Sequence, residues 1–279
     1  RNKQEMPELP EVETVRAGLE ANVVGKKIKE VKQLHPRALR ADSLAPITAF
    51  NGAKIKAVKR RGKFMWLEFD RPEVLVAHLG MSGQFKIQKK SSEYERHLRA
   101  NFTLSNGMDM RFIDQRTFGW LCVDQLNDGI PNVVSHIAKD LFDDEFNKKE
   151  VAKKISSKRG QIKKIILDQN VVSGIGNIYA DEALWAAKIH PEIPANELSI
   201  PEISNLLTQA GKVMAKALKA GGTSFDALYI NVNGESGYFE RSLAVYGREG
   251  EPCRRCGSEI SRIAFANRSS RFCPACQTR

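Results

Sequence analysis

Residues 253–276 read CRRCGSEISRIAFANRSSRFCPAC and hold four of the five cysteines of the chain. Two Cys-x-x-Cys pairs, Cys253 with Cys256 and Cys273 with Cys276, are separated by sixteen residues. At this spacing two knuckles can offer four thiolates to one tetrahedral zinc ion. The residues between the pairs must then form a hairpin that brings the knuckles together. A segment this small depends on the metal for much of its folding free energy.

Two disulfides or a redox pair are the other uses of such cysteines. Disulfides belong to oxidising compartments, and a redox Cys-x-x-Cys normally occurs once, beside a βαβ unit. The sequence therefore favours one structural Zn²⁺ ion held by thiolates at all four positions. Cys122 lies alone in an apolar stretch, and we expect it to pack as a small hydrophobic side chain.

The hairpin between the cysteine pairs is basic, with Arg262, Arg268 and Arg271. A hairpin fixed by metal would present these cations to phosphates at a low entropic cost, whereas a solvated basic loop would bind nothing. The whole chain is also basic, because 44 Lys and Arg against 33 Asp and Glu give a formal charge of +11. This charge favours a polyanionic partner, above all nucleic acid.

The 279 residues are enough for two domains with cores of their own and a small third. The sequence contains no apolar run long enough to cross a bilayer, and its first residues lack the apolar segment of a secretory signal. The sequence predicts a cytoplasmic, nucleoid-associated location and no membrane partner.

Hydrophobic periodicity divides the chain into a helix, a β-rich region and a helical region. Apolar side chains recur at helical spacing in residues 8–24. From residue 27 to about 124 the period changes to two, and Asn106-Gly107 is the strongest hairpin signal. Residues 125–147 read as a linker. Helical patterns follow in three segments, residues 160–169, 177–188 and 201–222.

The turn VVSGIGN, residues 171–177, places Gly-x-Gly directly ahead of a helix. Backbone N–H groups at such a helix start can bind a phosphate. Asn177 can cap the helix or donate its amide to the same anion. A simple tight turn would explain the two glycines equally well.

Six motifs occur in a fixed order: MPELPEVET (6–14), RRGK (60–63), HLGMSG (78–83), DQRTFG (114–119), LDQNVVSGIGNIYADE (167–182) and the two Cys-x-x-Cys pairs. On these motifs, the chain from Met6 onward resembles the bacterial formamidopyrimidine-DNA glycosylases. The related endonuclease VIII group typically has glycine at the position of Leu9. The resemblance is therefore to the branch that acts on oxidised purines.

The resemblance implies an α+β multidomain fold. Residues 7–135 would form an N-terminal catalytic β-sandwich domain with flanking helices, and residues 136–240 a helix-two-turn-helix DNA-binding domain. Residues 241–279 would form a C-terminal four-cysteine zinc-finger hairpin. The domains would flank a positively charged DNA cleft, and loop 223–239 resembles the part that closes over the flipped base.

The opening motif implies covalent chemistry. Removal of Met6 as the initiator would leave Pro7 with a free secondary amine, so we expect residues 1–5 not to belong to the functional N-terminus. The amine would attack the sugar C1′ as the base leaves and form an iminium ion, which stays cationic because it has no N–H proton to lose. Glu8 is implied as general acid and Glu11 as a supporting residue. A charge bias at a helix N-terminus would explain both glutamates without any chemistry.

The resemblance implies two further catalytic residues and four DNA contacts. Lys63 would reach the phosphate and donate a proton during β-elimination. Arg268 would bind the phosphates that flank the lesion and assist δ-elimination. The implied DNA contacts are His97, Lys158, Lys163 and Asn177.

Three residues match the trio that fills the gap left by an extruded nucleotide, namely Met81, Arg116 and Phe118. Flipping a base costs a few kcal/mol of unstacking, of which an apolar wedge and a stacked ring recover part. Arg116 can hydrogen-bond the edge of the orphaned cytosine. From strand periodicity alone, Met81 and Phe118 would be core residues.

The implied function is base-excision repair by a monomer that binds double-stranded DNA. The enzyme would be a bifunctional glycosylase that removes 8-oxoguanine and formamidopyrimidines, with lyase activity at abasic sites by β,δ-elimination. Two alternatives stay open. One is an endonuclease VIII-like preference for oxidised pyrimidines, and the other is a non-catalytic damaged-DNA-binding zinc-finger protein in which Pro7 stays blocked.

Overall fold

The computed structural model describes residues 6–221 and 242–279. These residues fall into two compact units, 6–136 with 220–221 and 137–219 with 242–279. The second unit includes both the helical region and the zinc hairpin. The domain boundaries at 135 and 240 stay predictions, and the predicted loop 223–239 lies outside the described residues.

The first unit begins with helix α1 (Leu9–Val23), which is followed by strands. The strands are β1 (Ile28–Gln33), β2 (Ile55–Arg61), β3 (Phe64–Phe69), β4 (Glu73–His78), β5 (Gly83–Lys89), β6 (Leu98–Leu104), β7 (Met108–Asp114), β8 (Trp120–Asn127) and β9 (Ile130–Pro131). Short 3-10 helices cover Pro36–Ala38, Ile47–Phe50 and Asn132–Val134.

The strands form two antiparallel sheets, ordered β1-β6-β7-β5 and β2-β3-β4-β8-β9. Both predicted hairpins are confirmed: β2 and β3 meet around Gly62, and β6 and β7 meet around Asn106-Gly107. Gly107 has φ +80°, the left-handed region that this turn requires. One apolar core joins α1 to both sheets, and its largest buried side chains include Phe50, Phe85, Phe102 and Phe112.

The second unit is helical apart from its C-terminal hairpin. Its elements are α2 (Lys148–Ser156), α3 (Ile162–Ile166), α4 (Asn177–Ala187), α5 (Ile200–Lys219), a 3-10 helix (Ala195–Glu197), β10 (Ser261–Phe265) and β11 (Arg268–Phe272). Helix α4 packs against α5 and β11, and α2 packs against α5. Among residues 6–221 and 242–279, no helix is both long and apolar enough to cross a membrane.

One helical prediction needs correction, and one helix lies outside the predicted segments. The helix expected over 160–169 covers only Ile162–Ile166, because the Asp168 carboxylate accepts the N–H of Asn170 and starts a turn. Helix α2 was not singled out from the sequence. It begins where the Asn147 side chain accepts the N–H of Glu150, an N-cap that ends the predicted linker.

Candidate active site and zinc centre

Pro7 and Glu8 lie at the N-terminus of α1, and both are buried. Glu8 is the N-cap residue, with an extended backbone, and its N–H donates to Oε2 of Glu11 over 3.0 Å. This bond belongs to a capping box, which fixes Glu11 in the first turn. Pro10 occupies the same turn, where a missing N–H is tolerated. The helix start therefore holds two buried carboxyl groups within four residues of Pro7.

Lys63 follows the β2–β3 turn and is 7% exposed. Helix α1 packs against both strands. Arg60 joins the helix to the turn: its Nε donates to Oε2 of Glu13 over 2.8 Å, and its Nη1 donates to the carbonyl of Gly62 over 3.0 Å. The helix that carries Glu8 and the turn that carries Lys63 are thus tied to each other by hydrogen bonds.

Glu13 remains ionised in this arrangement. Burial alone would raise the pKa of Glu13, but hydrogen bonds from Arg16 and Arg60 hold the pKa below its ordinary value. No local pattern predicts this role, because an acidic residue on an amphipathic helix usually faces solvent.

Two loops of the first unit pack backbone against backbone. They are residues 79–83, after β4, and residues 115–119, after β7. Met81 is half-buried on the first loop, and Arg116 and Phe118 are exposed on the second. The Arg116 guanidinium lies 4.9 Å from the centroid of the Phe118 ring. Phe118 is 54% exposed and is therefore not a core residue, contrary to what its periodicity alone would suggest.

The predicted polar loop before β6, which includes His97, is tied to the sheet by a buried arginine. Nη1 of Arg111 donates to the carbonyl of Glu93 over 2.7 Å, and Nη2 donates to the carbonyl of Ser92 over 2.9 Å. His97 is partly exposed, and its carbonyl accepts the N–H of Asp114 over 3.0 Å. The loop therefore has a defined course, which holds the His97 backbone beside the end of β7.

His78 begins the HLGMSG motif but was not singled out from the sequence. Its ring lies 4.8 Å from the ring of Phe64 and 5.6 Å from that of Trp120, centroid to centroid, and its Nδ1 accepts the N–H of Gly80 over 3.2 Å. Burial, with a smaller contribution from Lys63, lowers the pKa of His78 to about 4. The neutral ring therefore anchors the start of the loop that carries Met81.

Asn177 begins α4 and is 1% exposed. The N-cap residue is Gly176, so Asn177 does not cap the helix. Gln169 organises the preceding turn: its Oε1 accepts the N–H of Gly174 over 2.8 Å, and its Nε2 donates to the carbonyl of Ile175 over 3.0 Å. The Gly-x-Gly turn is therefore held in shape by a glutamine side chain, a role that no spacing in the sequence indicates.

The predicted phosphate contact of Lys163 is wrong. Its side chain is fully buried, and its Nζ lies 2.7 Å from Oδ1 of Asp181 and 2.8 Å from Oγ of Ser270. The ammonium also lies 4.7 Å from the ring centroid of Phe265. Lys163 thus joins α3 to α4 and to the zinc hairpin. Lys158, in the turn after α2, is partly exposed and stays a predicted DNA contact.

Lys163→Met is expected to destabilise the second unit by about 3–5 kcal/mol, because it leaves the Asp181 carboxylate buried without its partner. Lys163→Met with Asp181→Asn should recover a large part of that loss. Denaturant unfolding of both variants measures the difference. A single variant as stable as the parent protein would contradict this assignment.

The four predicted zinc ligands meet at one point. Sγ atoms of Cys253, Cys256, Cys273 and Cys276 all lie within 4.8 Å of one another, and those of Cys256 and Cys273 are 3.4 Å apart. Backbone N–H groups in both knuckles point at sulfur, for example from Arg255 to Cys253 over 3.4 Å. Four thiolates at this separation suit a tetrahedral ion, and within the described residues they form one structural zinc site.

The zinc centre is attached to the C-terminal end of α4. Nε1 of Trp185 donates to Sγ of Cys253 over 3.4 Å. Gln277 accepts the N–H of Cys273 over 2.8 Å and donates to the carbonyl of Ile189 over 2.9 Å. Such contacts outside the ligand shell orient the ligands. The position of the hairpin therefore depends on both the metal and the helix.

The three hairpin arginines have different surroundings. Arg268 begins β11 beside the turn and is exposed. The backbone N–H of Arg271 donates to Asp181 over 3.0 Å, and its guanidinium lies 4.3 Å from the ring centroid of Tyr246. Arg262 lies 3.4 Å from a carboxylate oxygen of Glu249. Arg268 therefore presents its cation at the tip of the metal-supported hairpin.

Family models match the chain in three successive stretches. Residues 6–121 match the formamidopyrimidine-DNA glycosylase N-terminal domain, residues 137–228 the H2TH domain of the same family, and residues 250–279 the zinc finger found in FPG and IleRS. The chain belongs to the formamidopyrimidine-DNA glycosylase family. Its α+β fold with an H2TH domain and a four-cysteine zinc finger confirms the fold class predicted from the sequence.

Similar proteins extend the formamidopyrimidine-DNA glycosylase assignment over nearly the whole chain. Proteins of that name from Nocardioides sp. and Rhodococcus erythropolis are 51% and 52% identical, each over 98% of this chain and over 94% and 97% of their own lengths. Lactococcus lactis Fpg bound to abasic-site DNA is 34% identical, with a TM-score of 0.87. The same enzyme bound to DNA with an oxidised pyrimidine also has a TM-score of 0.87. In both comparisons the alignment includes 98% of this chain and all of the Lactococcus lactis chain.

Proposed function

We propose that the protein is a bifunctional DNA glycosylase and lyase of base-excision repair, which removes oxidised purines from duplex DNA. It acts as a monomer in the cytoplasm, at the nucleoid. The observation that carries the proposal is the burial of Pro7 and Glu8 at the start of a helix that is tied to the Lys63 turn. Family membership supports DNA glycosylase chemistry, and the complexes of similar enzymes hold damaged DNA.

The nucleophile in this proposal is the Pro7 nitrogen, freed by removal of every residue before it. An α-amino group has a pKa about 2.5 units below that of lysine, so a larger fraction is deprotonated at neutral pH. The N-terminus of α1 also disfavours a neighbouring positive charge. The nitrogen lone pair forms a bond to C1′ while the C1′–base bond breaks, and the departing base takes a proton from a general acid.

Glu8 is the general acid in this proposal, and Lys63 assists the elimination steps. The Pro7 nitrogen then loses its proton, the C1′–O4′ bond breaks and O4′ takes a proton, so the sugar opens and C1′ becomes part of an iminium. The iminium accepts the electron pair released when a base removes a C2′ proton, and the 3′ phosphate then leaves. A second elimination expels the 5′ phosphate. Lys63 donates a proton during the first elimination, and Arg268 binds the charge of the flanking phosphates.

DNA contacts in this proposal come from both units. His97 and Lys158 contact the backbone, and Asn177 contributes its amide with the N–H groups at the start of α4. Glu11 supports the site by fixing the first turn of α1. Met81, Arg116 and Phe118 occupy the gap left by the flipped nucleotide, which agrees with the exposure of Phe118 and with its contact to Arg116.

Glu8→Gln is expected to slow base excision by about 100–10,000-fold, the usual contribution of a general acid. Glu20→Gln is the matched control, because Glu20 lies on the same helix with a half-exposed side chain. Single-turnover excision from 8-oxoguanine duplexes measures both variants. Equal rates for the two variants would exclude Glu8 from proton transfer.

An oxidised-pyrimidine preference is the second candidate, since a similar enzyme was solved with such a lesion. Matched duplexes containing 8-oxoguanine, a formamidopyrimidine and an oxidised pyrimidine test this directly. We expect kcat/KM to be highest for the two purine lesions. A higher value for the pyrimidine would reverse the assignment.

A further inference from the structure

The Asp114 carboxylate lies between the two loops that carry Met81, Arg116 and Phe118. Asp114 is the last residue of β7 and is 1% exposed. Its Oδ1 accepts the hydroxyl of Ser82 over 2.5 Å and the N–H of Arg116 over 3.1 Å. Its Oδ2 accepts the N–H of Gly119 over 2.7 Å. One carboxylate thus binds the first loop through Ser82 and both ends of the second.

The same loops meet with no space for side chains between them. A Cβ on Gly80 would lie 2.5 Å from the backbone nitrogen of Gly119 and from the carbonyl carbon of Phe118. A Cβ on Gly119 would lie 2.8 Å from the carbonyl oxygen of Leu79. Since real Cβ atoms do not approach backbone this closely, glycine is required at both positions. The loops are therefore packed as one body.

The position of Asp114 is itself fixed from β6 and the loop before it. Nε of Arg99 donates to the Asp114 carbonyl over 2.7 Å, and the Asp114 N–H donates to the carbonyl of His97 over 3.0 Å. The His78 ring also accepts the N–H of Gly80 over 3.2 Å. The carboxylate therefore connects a rigid sheet edge to both loops.

We propose that Asp114 is a positioning residue that joins residues 79–83 and 115–119 into one preassembled wedge. The proposal rests on the proposed function, in which Met81, Arg116 and Phe118 fill the gap left by a flipped nucleotide. A preassembled wedge enters the duplex without first ordering two loops, so less of its stacking energy is lost to conformational entropy. Asp114 then acts in base extrusion, by positioning the wedge, and takes no part in the bond-breaking steps at Pro7.

Asp114→Asn is the informative substitution, because the amide cannot reproduce the carboxylate. In one orientation the NH₂ group of the asparagine faces the N–H of Gly119. In the other orientation it faces the hydroxyl of Ser82 and the N–H of Arg116, so a donor meets a donor in both cases. Asp124→Asn is the matched control. Asp124, in β8, is 3% exposed, and its carboxylate accepts hydrogen bonds from Asn132 and from the N–H of Val133 over 2.8 Å.

The experiment compares two reactions of the processed, zinc-loaded protein. The first is single-turnover excision of the preferred lesion from duplex DNA with 2-aminopurine beside the lesion, whose fluorescence reports unstacking. The second is strand cleavage of a single-stranded abasic oligonucleotide, which needs no extrusion. Asp114→Asn should slow the fluorescence change and the duplex reaction by about 30-fold, whereas the single-stranded reaction should change by less than about twofold. Asp124→Asn should change neither.

Ser82→Ala removes one of the three bonds to the carboxylate and should give a smaller loss in the same pattern. It also provides the test if the Asp114 variant fails to fold. Equal losses in both reactions, or an unchanged fluorescence step, would overturn the proposal. A parent protein that excises no oxidised base from duplex DNA would instead contradict the proposed function, so the two failures are distinguishable.

Discussion

Protein that retains Met6 ahead of Pro7 is expected to cleave neither lesion-containing nor abasic duplex DNA. The Pro7 nitrogen is then part of a tertiary amide, and its lone pair is delocalised into the carbonyl. It can neither attack C1′ nor form an iminium. We expect the rate to fall by at least about 1,000-fold, the order of loss seen when a covalent mechanism loses its nucleophile.

The matched control is the same preparation after removal of every residue before Pro7, with intact mass confirming the new N-terminus. Its cleavage activity should be restored, while its affinity for undamaged duplex should stay within about twofold of the blocked form. Equal cleavage by blocked and processed protein would exclude Pro7 as the nucleophile. Absence of cleavage from both the blocked and the processed protein would instead support the alternative of a non-catalytic damaged-DNA-binding protein.

Loss of zinc is expected to weaken the binding of duplex DNA strongly. Cys273→Ser is expected to weaken duplex binding by at least about 100-fold, since structural zinc supplies about 10 kcal/mol or more to the folding of small segments. Cys273 is fully buried, and Gln277 attaches its knuckle to Ile189, just after α4. Without the metal, the hairpin no longer holds Arg268 in place. Fluorescence anisotropy with labelled duplex, together with zinc stoichiometry, measures this.

Cys122→Ser provides the matched control for zinc loss. Cys122 is also a buried thiol, but it lies in β8 of the first unit. This variant should bind one equivalent of zinc and retain its DNA affinity. The Cys273 variant should still form an adduct with single-stranded abasic DNA at high protein concentration, because Pro7 and Glu8 belong to the first unit. Full duplex affinity in metal-free protein would contradict the assigned role of the hairpin.

The features that the sequence predicted correctly depend on local spacing. Two Cys-x-x-Cys pairs require a metal site or a disulfide framework whatever the rest of the chain does. Asn106-Gly107 between alternating strands can form only a few turn types. The helix over residues 8–24 was predicted nearly to its ends, because apolar spacing and the flanking Pro10 and Gly25 agree.

The features that the sequence did not reveal depend on partners distant in the chain. Lys163 reads as one of many basic surface residues, and its partner Asp181 belongs to another helix. Asp114 receives hydrogen bonds from Ser82, 32 residues away, and this pairing exists only once β5 and β7 are adjacent. Each buried charge needs a partner that no local pattern identifies.

The catalytic role of Pro7 follows only from the family resemblance. In isolation the stretch Met6–Thr14 reads as the acidic first turn of an ordinary helix, and the structure confirms that it is one. What distinguishes it is that Pro7 and Glu8 are buried, whereas the charged residues of a helix start usually face water. Burial of this kind cannot be read from residue types.

Borohydride trapping tests the central claim most directly. Processed protein is mixed with 8-oxoguanine duplex in the presence of borohydride, which reduces an iminium to a stable amine, and the cross-linked peptide is sequenced by mass spectrometry. We expect one adduct, with the deoxyribose fragment on the nitrogen of Pro7 as the first residue. An adduct on Lys63 or any other lysine, or efficient cleavage with no adduct, would contradict the mechanism.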